Sequence, residues 1–185
     1  MVVAVATIIR ILWLLIEVRQ ARRFSVLPGY DWDKKSGRAW DAANTIEIIG
    51  LVLAFFGVGR IEQLQGVVPS IGLVLLIAGV VVRVSAIQML GAFFTSLVTI
   101  RKDHQLITSG LYRYVRHPGY TGALVAHAGL GLAFGSVVSI TLSTLPFIVA
   151  ALYRMRVEEA ALKNRFGEEY LNYIAKTSRL FPHVY

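Results

Sequence analysis

Val67-Val68-Pro69-Ser70-Ile71-Gly72-Leu73-Val74-Leu75-Leu76-Ile77-Ala78-Gly79-Val80-Val81-Val82-Arg83-Val84-Ser85-Ala86-Ile87-Gln88-Met89-Leu90 carries a single charge, Arg83, in a run of apolar and small residues. A helix needs about 20 such residues to cross a ~30 Å hydrocarbon core, so this stretch reads as a membrane span. Four more apolar segments lie at 2–18, 43–59, 119–134 and 137–153. Together they predict an all-α membrane protein with about five transmembrane helices. The last two segments sit close together around Gly135-Ser136 and are read as a tight helical hairpin that crosses with local thinning of the bilayer. The chain is taken as a single integral membrane domain. Residues 1–66 supply two N-terminal spans, and residues 67–185 form the core that carries the functional site.

Composition agrees with a bilayer: 56% hydrophobic residues, 16% charged and a mean hydropathy of +0.61 are far from a soluble domain. The formal charge of +8 does not argue for nucleic acid. With five crossings, Arg19, Arg22, Arg23, Lys34, Lys35 and Arg38 share one face with Arg101, Lys102, Arg113 and Arg116 and with the basic residues of the tail. Only Arg60 lies on the other face. The positive-inside rule then puts the N-terminus outside and the C-terminus in the cytoplasm of a multi-pass protein, and membrane lipids are its first partners. The membrane is the cell membrane in a prokaryote or the endoplasmic reticulum in a eukaryote. The apolar N-terminus has no basic leader and reads as a retained span, not a signal peptide. Absence of cysteine removes disulfides, thiolate chemistry and Cys-based metal sites, and the four histidines show no metal-ligand spacing. Oligomeric state stays open. Pro28 to Arg38 is polar and turn-rich and is expected to be a loop, whereas Arg154 to about Ile174 is expected to form a separate C-terminal helix, cytoplasmic or interfacial.

Chemistry concentrates between His104 and Tyr120. Pro118 suits the first turn of a helix, which places His117 at the cap, with Tyr120 three residues on along the same side. Such a helix start suits a bound carboxylate, although Arg116-His117-Pro118 is equally readable as an interfacial anchor. Arg154 and Glu158 are spaced for an ordinary intrahelical pair, or for contacts with two different ligands. Arg83 within its span is either a structural ion pair or part of a cavity. Arg10 and His127 are expected to be structural. The small face Ala126-Gly129-Gly131-Ala133 is expected to serve close helix packing.

At these residues the chain resembles the isoprenylcysteine carboxyl methyltransferases. The resemblance rests on the run His104 to Tyr120 with its Arg116-His117-Pro118-x-Tyr120, and on Arg154-x-x-x-Glu158-Glu159 followed by Phe166-Gly167-Glu168-Glu169-Tyr170-Leu171-x-Tyr173. The ending Arg179-Leu180-Phe181-Pro182 and the upstream Arg83-x-x-Ala86-x-x-x-Leu90-Gly91-x-x-Phe94-Thr95 also fit. It covers Arg83 to Pro182. The resemblance implies an enzyme that moves a methyl group from S-adenosyl-L-methionine, leaving S-adenosyl-L-homocysteine, to the C-terminal carboxylate of a prenylated cysteine in a lipophilic small molecule or prenylated peptide. It also implies a donor site formed by His104, Gln105, Leu106, Ile107, Tyr112, His117, Pro118, Gly119, Tyr120 and Glu158, with Arg154 facing the acceptor carboxylate. Gly119 stands where many relatives have serine. Alternatives are a phospholipid or other lipid N- or O-methyltransferase and, more distantly, a membrane enzyme resembling the sterol reductases. A non-enzymatic transporter or assembly subunit is a further reading. An ionised carboxylate needs alignment and desolvation but no general base, consistent with the lack of a His–Asp pair.

Overall fold

The computed structural model describes residues 1–24, 30–33, 35–62, 65–100 and 103–182. Its elements run α1 (Val2–Phe24), β1 (Tyr30–Asp31), α2 (Ser36–Phe55), α3 (Val68–Leu90), β2 (Thr99–Ile100), α4 (Pro118–Ala133), α5 (Val137–Phe166) and α6 (Glu168–Ile174). Short 3-10 turns lie at Gly91–Phe93 and Gly110–Arg113. Two helical stretches, Val68–Phe93 and Val137–Phe166, are long and apolar enough to cross a membrane. Large apolar side chains face outward on α1 (Ile8, Leu12, Leu15), α2 (Ile48, Ile49), α3 (Val74, Val81) and α5 (Leu145, Val149). Such a belt has no place in water, and the chain is an integral membrane protein.

α3 and α4 form the central pair, with α5 on α4, α2 on α5, and α1 on the flank of α3 and α4. The pair can close because glycine faces glycine: Gly72 and Gly79 of α3 lie on Gly122 and Gly129 of α4. A Cβ on Gly122 would stand 2.5 Å from the backbone nitrogen of Arg83, so only hydrogen fits there. The small-residue face of α4 thus serves packing, as its sequence suggests. Between α4 and α5 the chain turns at Gly135 (φ 62°), and the Ser136 hydroxyl caps α5 by accepting from the amides of Val138 and Ser139.

Charges inside the helices are paired. Arg10 donates to Glu47 (3.0 Å) and to Asn44 (2.8 Å), and His127 Nδ1 meets the other Glu47 oxygen while its ring stacks 3.4 Å from Phe147. Arg83 donates to Glu17 at 2.8 Å. These pairs fasten α1 and α2 to the core, and each charge at this depth has a partner.

Several sequence expectations are corrected. α1 and α2 span 2–24 and 36–55 where 2–18 and 43–59 are expected from apolarity: polar turns remain helical after the apolar run of α1 and before that of α2, and α2 ends at Phe55 ahead of Gly57 (φ 87°). The expected loop at 28–38 contains β1, paired antiparallel with β2 (Tyr30 with Ile100), and the first turn of α2. The fold is therefore helical with one two-stranded ribbon. The expected separate helix from Arg154 to Ile174 does not exist. α5 continues through Tyr153 and Arg154 to Phe166, since Leu152 to Phe166 contains no breaker, and the break falls at Gly167 (φ 52°). Residues 28, 29 and 34 of the expected loop, the basic residues at 101 and 102, and the histidine at 183 lie outside the described residues.

Candidate active site

A cleft of about 910 Å³, including its open mouth, lies where α3, α4, α5 and α6 meet the segments Phe93–Ile100 and His104–Ile107. Ile87, Leu90, Phe93, Phe94, Leu106, Ile107 and Leu162 give it apolar walls, and Arg83, Tyr112, His117, Tyr120, Arg154, Glu158 and Tyr170 supply polar groups. This mixture is typical of a site for a drug-sized polar ligand. A second chamber of about 850 Å³ adjoins it, lined by Glu17, Gly37, Trp40, Asp41 and Ser96. Arg83, Phe94, Thr95, Leu97, Tyr120 and Arg154 line both and form the boundary between them.

The boundary is held by a chain of hydrogen bonds. Arg154 Nε donates to the Tyr120 hydroxyl (3.0 Å), and that hydroxyl donates to Glu158 Oε2 (3.0 Å). Arg154 and Glu158 share a face of α5, yet among the described residues they make no ion pair with each other. The phenol of α4 separates them. Arg154, buried at 7% exposure, spends Nη1 on Asp33 (3.2 Å) and Ser36 (3.3 Å) and Nη2 on the Ser96 carbonyl. Glu158 is 31% exposed toward the cleft, with His117 Nδ1 4.0 Å away, so it can receive a cation.

His117 caps α4 through its backbone, and Pro118 takes the first helical position. Its imidazole Nε2 lies 3.0 Å from Glu159. Glu159 also accepts from Arg179 Nε (3.0 Å) and Nη2 (2.8 Å) and from Arg116 Nε (3.4 Å). The C-terminal segment is thereby strapped over the start of α4. The amides of Arg116 and His117 donate to the carbonyls of Ser178 (2.9 Å) and Arg179 (3.1 Å), and Thr121 Oγ1 donates to Leu180 O (2.6 Å). With Nε2–H committed to Glu159, Nδ1 becomes an acceptor on the Glu158 side.

Tyr112 donates to the Ala86 carbonyl (3.3 Å), and Tyr173 donates to the Tyr112 carbonyl (2.7 Å), tying the 3-10 turn to α3 and α6. Burial pushes the Tyr173 phenol up to about 12, so it remains a donor. Tyr170 is 1% exposed and lines the cleft, and among the described residues its hydroxyl has no hydrogen-bond partner. A phenol left in this state costs about 1–3 kcal/mol and suits a ligand acceptor.

All the residues that the resemblance assigns to a donor site line one cleft except Pro118: His104, Gln105, Leu106, Ile107, Tyr112, His117, Gly119, Tyr120 and Glu158. Arg154 sits at the boundary. A Cβ on Gly119 would lie 3.2 Å from Arg83 Nη1, which accounts for a minimal residue beside that arginine. Sequence reasoning left out Glu159, Tyr170 and Asp33. Glu159 and Tyr170 belong to the quoted motifs, and that was their available signal. Asp33 had none, being 121 residues from Arg154. Burial opposes ionisation of Asp33, but bonds from Gly37 N, Ser36 Oγ and Val98 N with the Arg154 charge hold its carboxyl below the usual range.

The model of the phospholipid methyltransferase family matches residues 68–169, from the start of α3 into α6. The probable protein-S-isoprenylcysteine O-methyltransferase of Oryza sativa subsp. indica is 35% identical over 119 residues, 63% of this chain and 62% of that protein. The protein-S-isoprenylcysteine O-methyltransferase of Schizosaccharomyces pombe is 35% identical over 108 residues, 57% of this chain and 46% of its own. A solved eukaryotic intramembrane Ras methyltransferase, isoprenylcysteine carboxyl methyltransferase, superposes with a TM-score of 0.65 at 27% identity, covering 78% of this chain and 52% of that structure. The chain thus spans less than two thirds of each of these relatives, and the resemblance read from Arg83 to Pro182 is borne out by them. Since the family match covers more than half of the sequence and includes most of the cleft's walls, the chain belongs to the phospholipid methyltransferase family.

Proposed function

We propose that this protein transfers a methyl group from S-adenosyl-L-methionine to the carboxylate of a lipophilic acceptor, a prenylated cysteine being the acceptor that its relatives' names favour. The observation that carries the reading is the Tyr120 hydroxyl bonded to both Arg154 and Glu158, one turn of α5 apart, where the two chambers meet. The donor's chemistry fits the cleft lined by His117 and Tyr170, which leaves the second chamber for the acceptor. Glu158 and His117 Nδ1 are acceptors for its ammonium, Tyr170 is a buried unpartnered phenol for one of its oxygens, and the apolar walls suit its adenosine. When bound, the donor supplies a sulfonium methyl: an acceptor carboxylate oxygen forms the new C–O bond as the C–S bond breaks, its pair staying on sulfur, giving a methyl ester and S-adenosyl-L-homocysteine. No proton moves, and opposite charges cancel, so a dry boundary between the chambers favours the step. Arg154 and Tyr120 orient the acceptor, and Glu158 orients the donor.

In this reading the helices make about five crossings, with the N-terminus outside and the cleft and C-terminus in the cytoplasm, supported by the distribution of basic residues. A second reading, methylation of a phospholipid amine, draws on the acidic Glu17 and Asp41 that also line the acceptor chamber. An amine must lose a proton before it attacks, so it would need a base. Purified protein incubated with labelled donor and either N-acetyl-S-farnesylcysteine or phosphatidylethanolamine decides between them. Ester formation supports the first reading, and N-methylated lipid alone overturns it. Within the first reading, Arg154→Gln is expected to impair turnover or acceptor KM while donor affinity stays near wild type. Glu158→Gln is expected to weaken the donor by roughly tenfold. Equal small effects on both ligands would return the two residues to a packing role.

A further inference from the structure

The arginine that faces the acceptor is already occupied. Asp33, buried at 7% exposure between β1 and α2, sits 3.2 Å from Arg154 Nη1 and is the carboxylate bonded to that guanidinium among the described residues. Asp33 does not depend on this contact. Its Oδ1 also accepts from Ser36 Oγ (2.8 Å) and the Val98 amide (3.2 Å), and its Oδ2 from the Gly37 amide (3.0 Å). Two of these donors are backbone, so the carboxylate is fixed to the fold, whereas the arginine reaches it at the end of a long side chain. With Tyr120 on Nε and the Ser96 carbonyl on Nη2, Arg154 has no unshared edge on which a second carboxylate could form a two-pronged pair.

We propose that Asp33, behind Arg154 and Gly37 in the wall of the second chamber, is a specificity-determining residue for the acceptor, an internal carboxylate with which an incoming acceptor carboxylate must compete for Arg154. This rests on the carboxylate reading of the function. Small soluble carboxylates have only their charge to offer, and Asp33 already supplies it in a better-held form. An amphiphilic acceptor brings the burial of its lipid chain, which offsets the exchange. The chamber thus selects carboxylates attached to long apolar groups. Asp33 lies before residue 68, outside the part of the chain that the family match covers.

The test separates this proposal from the reading beneath it. Wild-type protein is first assayed with N-acetyl-S-farnesylcysteine; absence of methyl ester removes the reading and the proposal together. Where ester forms, Asp33→Asn is expected to lower KM for that acceptor by roughly three- to tenfold without raising kcat. S-adenosylhomocysteine affinity by calorimetry should stay within about twofold, because the donor-side contacts remain. A purely structural Asp33 would instead raise KM or leave it unchanged, and that result overturns the proposal. Ser36→Ala loosens the same carboxylate with a smaller change in shape and should lower KM in the same direction by less. If Asp33→Asn does not fold, the sign of the Ser36→Ala effect decides alone.

Discussion

Replacing Glu159 by glutamine tests whether the C-terminal strap and the donor site are one unit. The carboxylate receives two bonds from Arg179, one from Arg116 and one from His117, with its side chain 20% exposed and both arginines 13% exposed. Glutamine keeps one acceptor oxygen but turns an N–H₂ group toward donors. At about 1.5–3 kcal/mol for a charge-assisted bond, reduced for partial exposure, the loss should total about 2–4 kcal/mol. For a domain of this size, that lowers the melting temperature by about 5–15 °C. Donor affinity should fall by about tenfold as well, because Oε1, which His117 shares with Arg116 and Arg179, loses its charge and holds the imidazole less firmly. Thermal unfolding in detergent and calorimetry with S-adenosylhomocysteine measure the two effects, with the exposed Glu169→Gln as control. Equal melting temperatures and affinities for the two variants would refute the coupling.

Tyr170→Phe should leave stability unchanged or raise it by up to about 1–3 kcal/mol, since it removes a buried unpartnered hydroxyl, while weakening the donor by several-fold. A variant that binds the donor as wild type does would take the phenol out of the site. Gly122→Ala should destabilise by about 1–3 kcal/mol and lower turnover by parting α3 from α4 at Arg83, while Gly66→Ala, with open space around it, should have no effect. Similar melting curves for both would contradict the close approach. In this cysteine-free chain, Lys176→Cys should react with an impermeant thiol reagent only after the cytoplasmic side is exposed, and Gly66→Cys from outside; the reverse labelling would invert the topology.

What could be read from the sequence was whatever depends on neighbours along the chain. Long apolar runs marked α3 and the α4–α5 hairpin, and Gly135-Ser136 marked its turn, because burial in lipid and backbone freedom are local demands. The helix-start logic at His117-Pro118 was legible for the same reason. The end of α5 is not legible in the same way, because the end of an apolar run at Tyr153 marks where lipid burial stops and not where the helix stops, which is Gly167. The four-residue spacing of Arg154 and Glu158 suggested a pair, but spacing is blind to a phenol arriving from α4. Asp33 was out of reach altogether: it stands in a polar stretch with no motif and gains meaning only when folding brings it to Val98 and Arg154.

The continuous passage of α5 from Val137 to Phe166 makes it a ruler as well as a wall. Arg154 and Glu158 are separated by one turn, about 6 Å along the axis. The gap between the two charges is therefore set by residue count and cannot be tuned by bending a loop. A single residue inserted between Pro146 and Arg154 would advance both charges by about 1.5 Å and swing them by about 100°, away from Tyr120 and the cleft together. Evolution can lengthen or reshape the segments before α3 by any amount, but within α5 viable length changes come in near-whole turns. The dimension that this fold cannot vary freely is the number of residues between the cap of this helix and its first arginine.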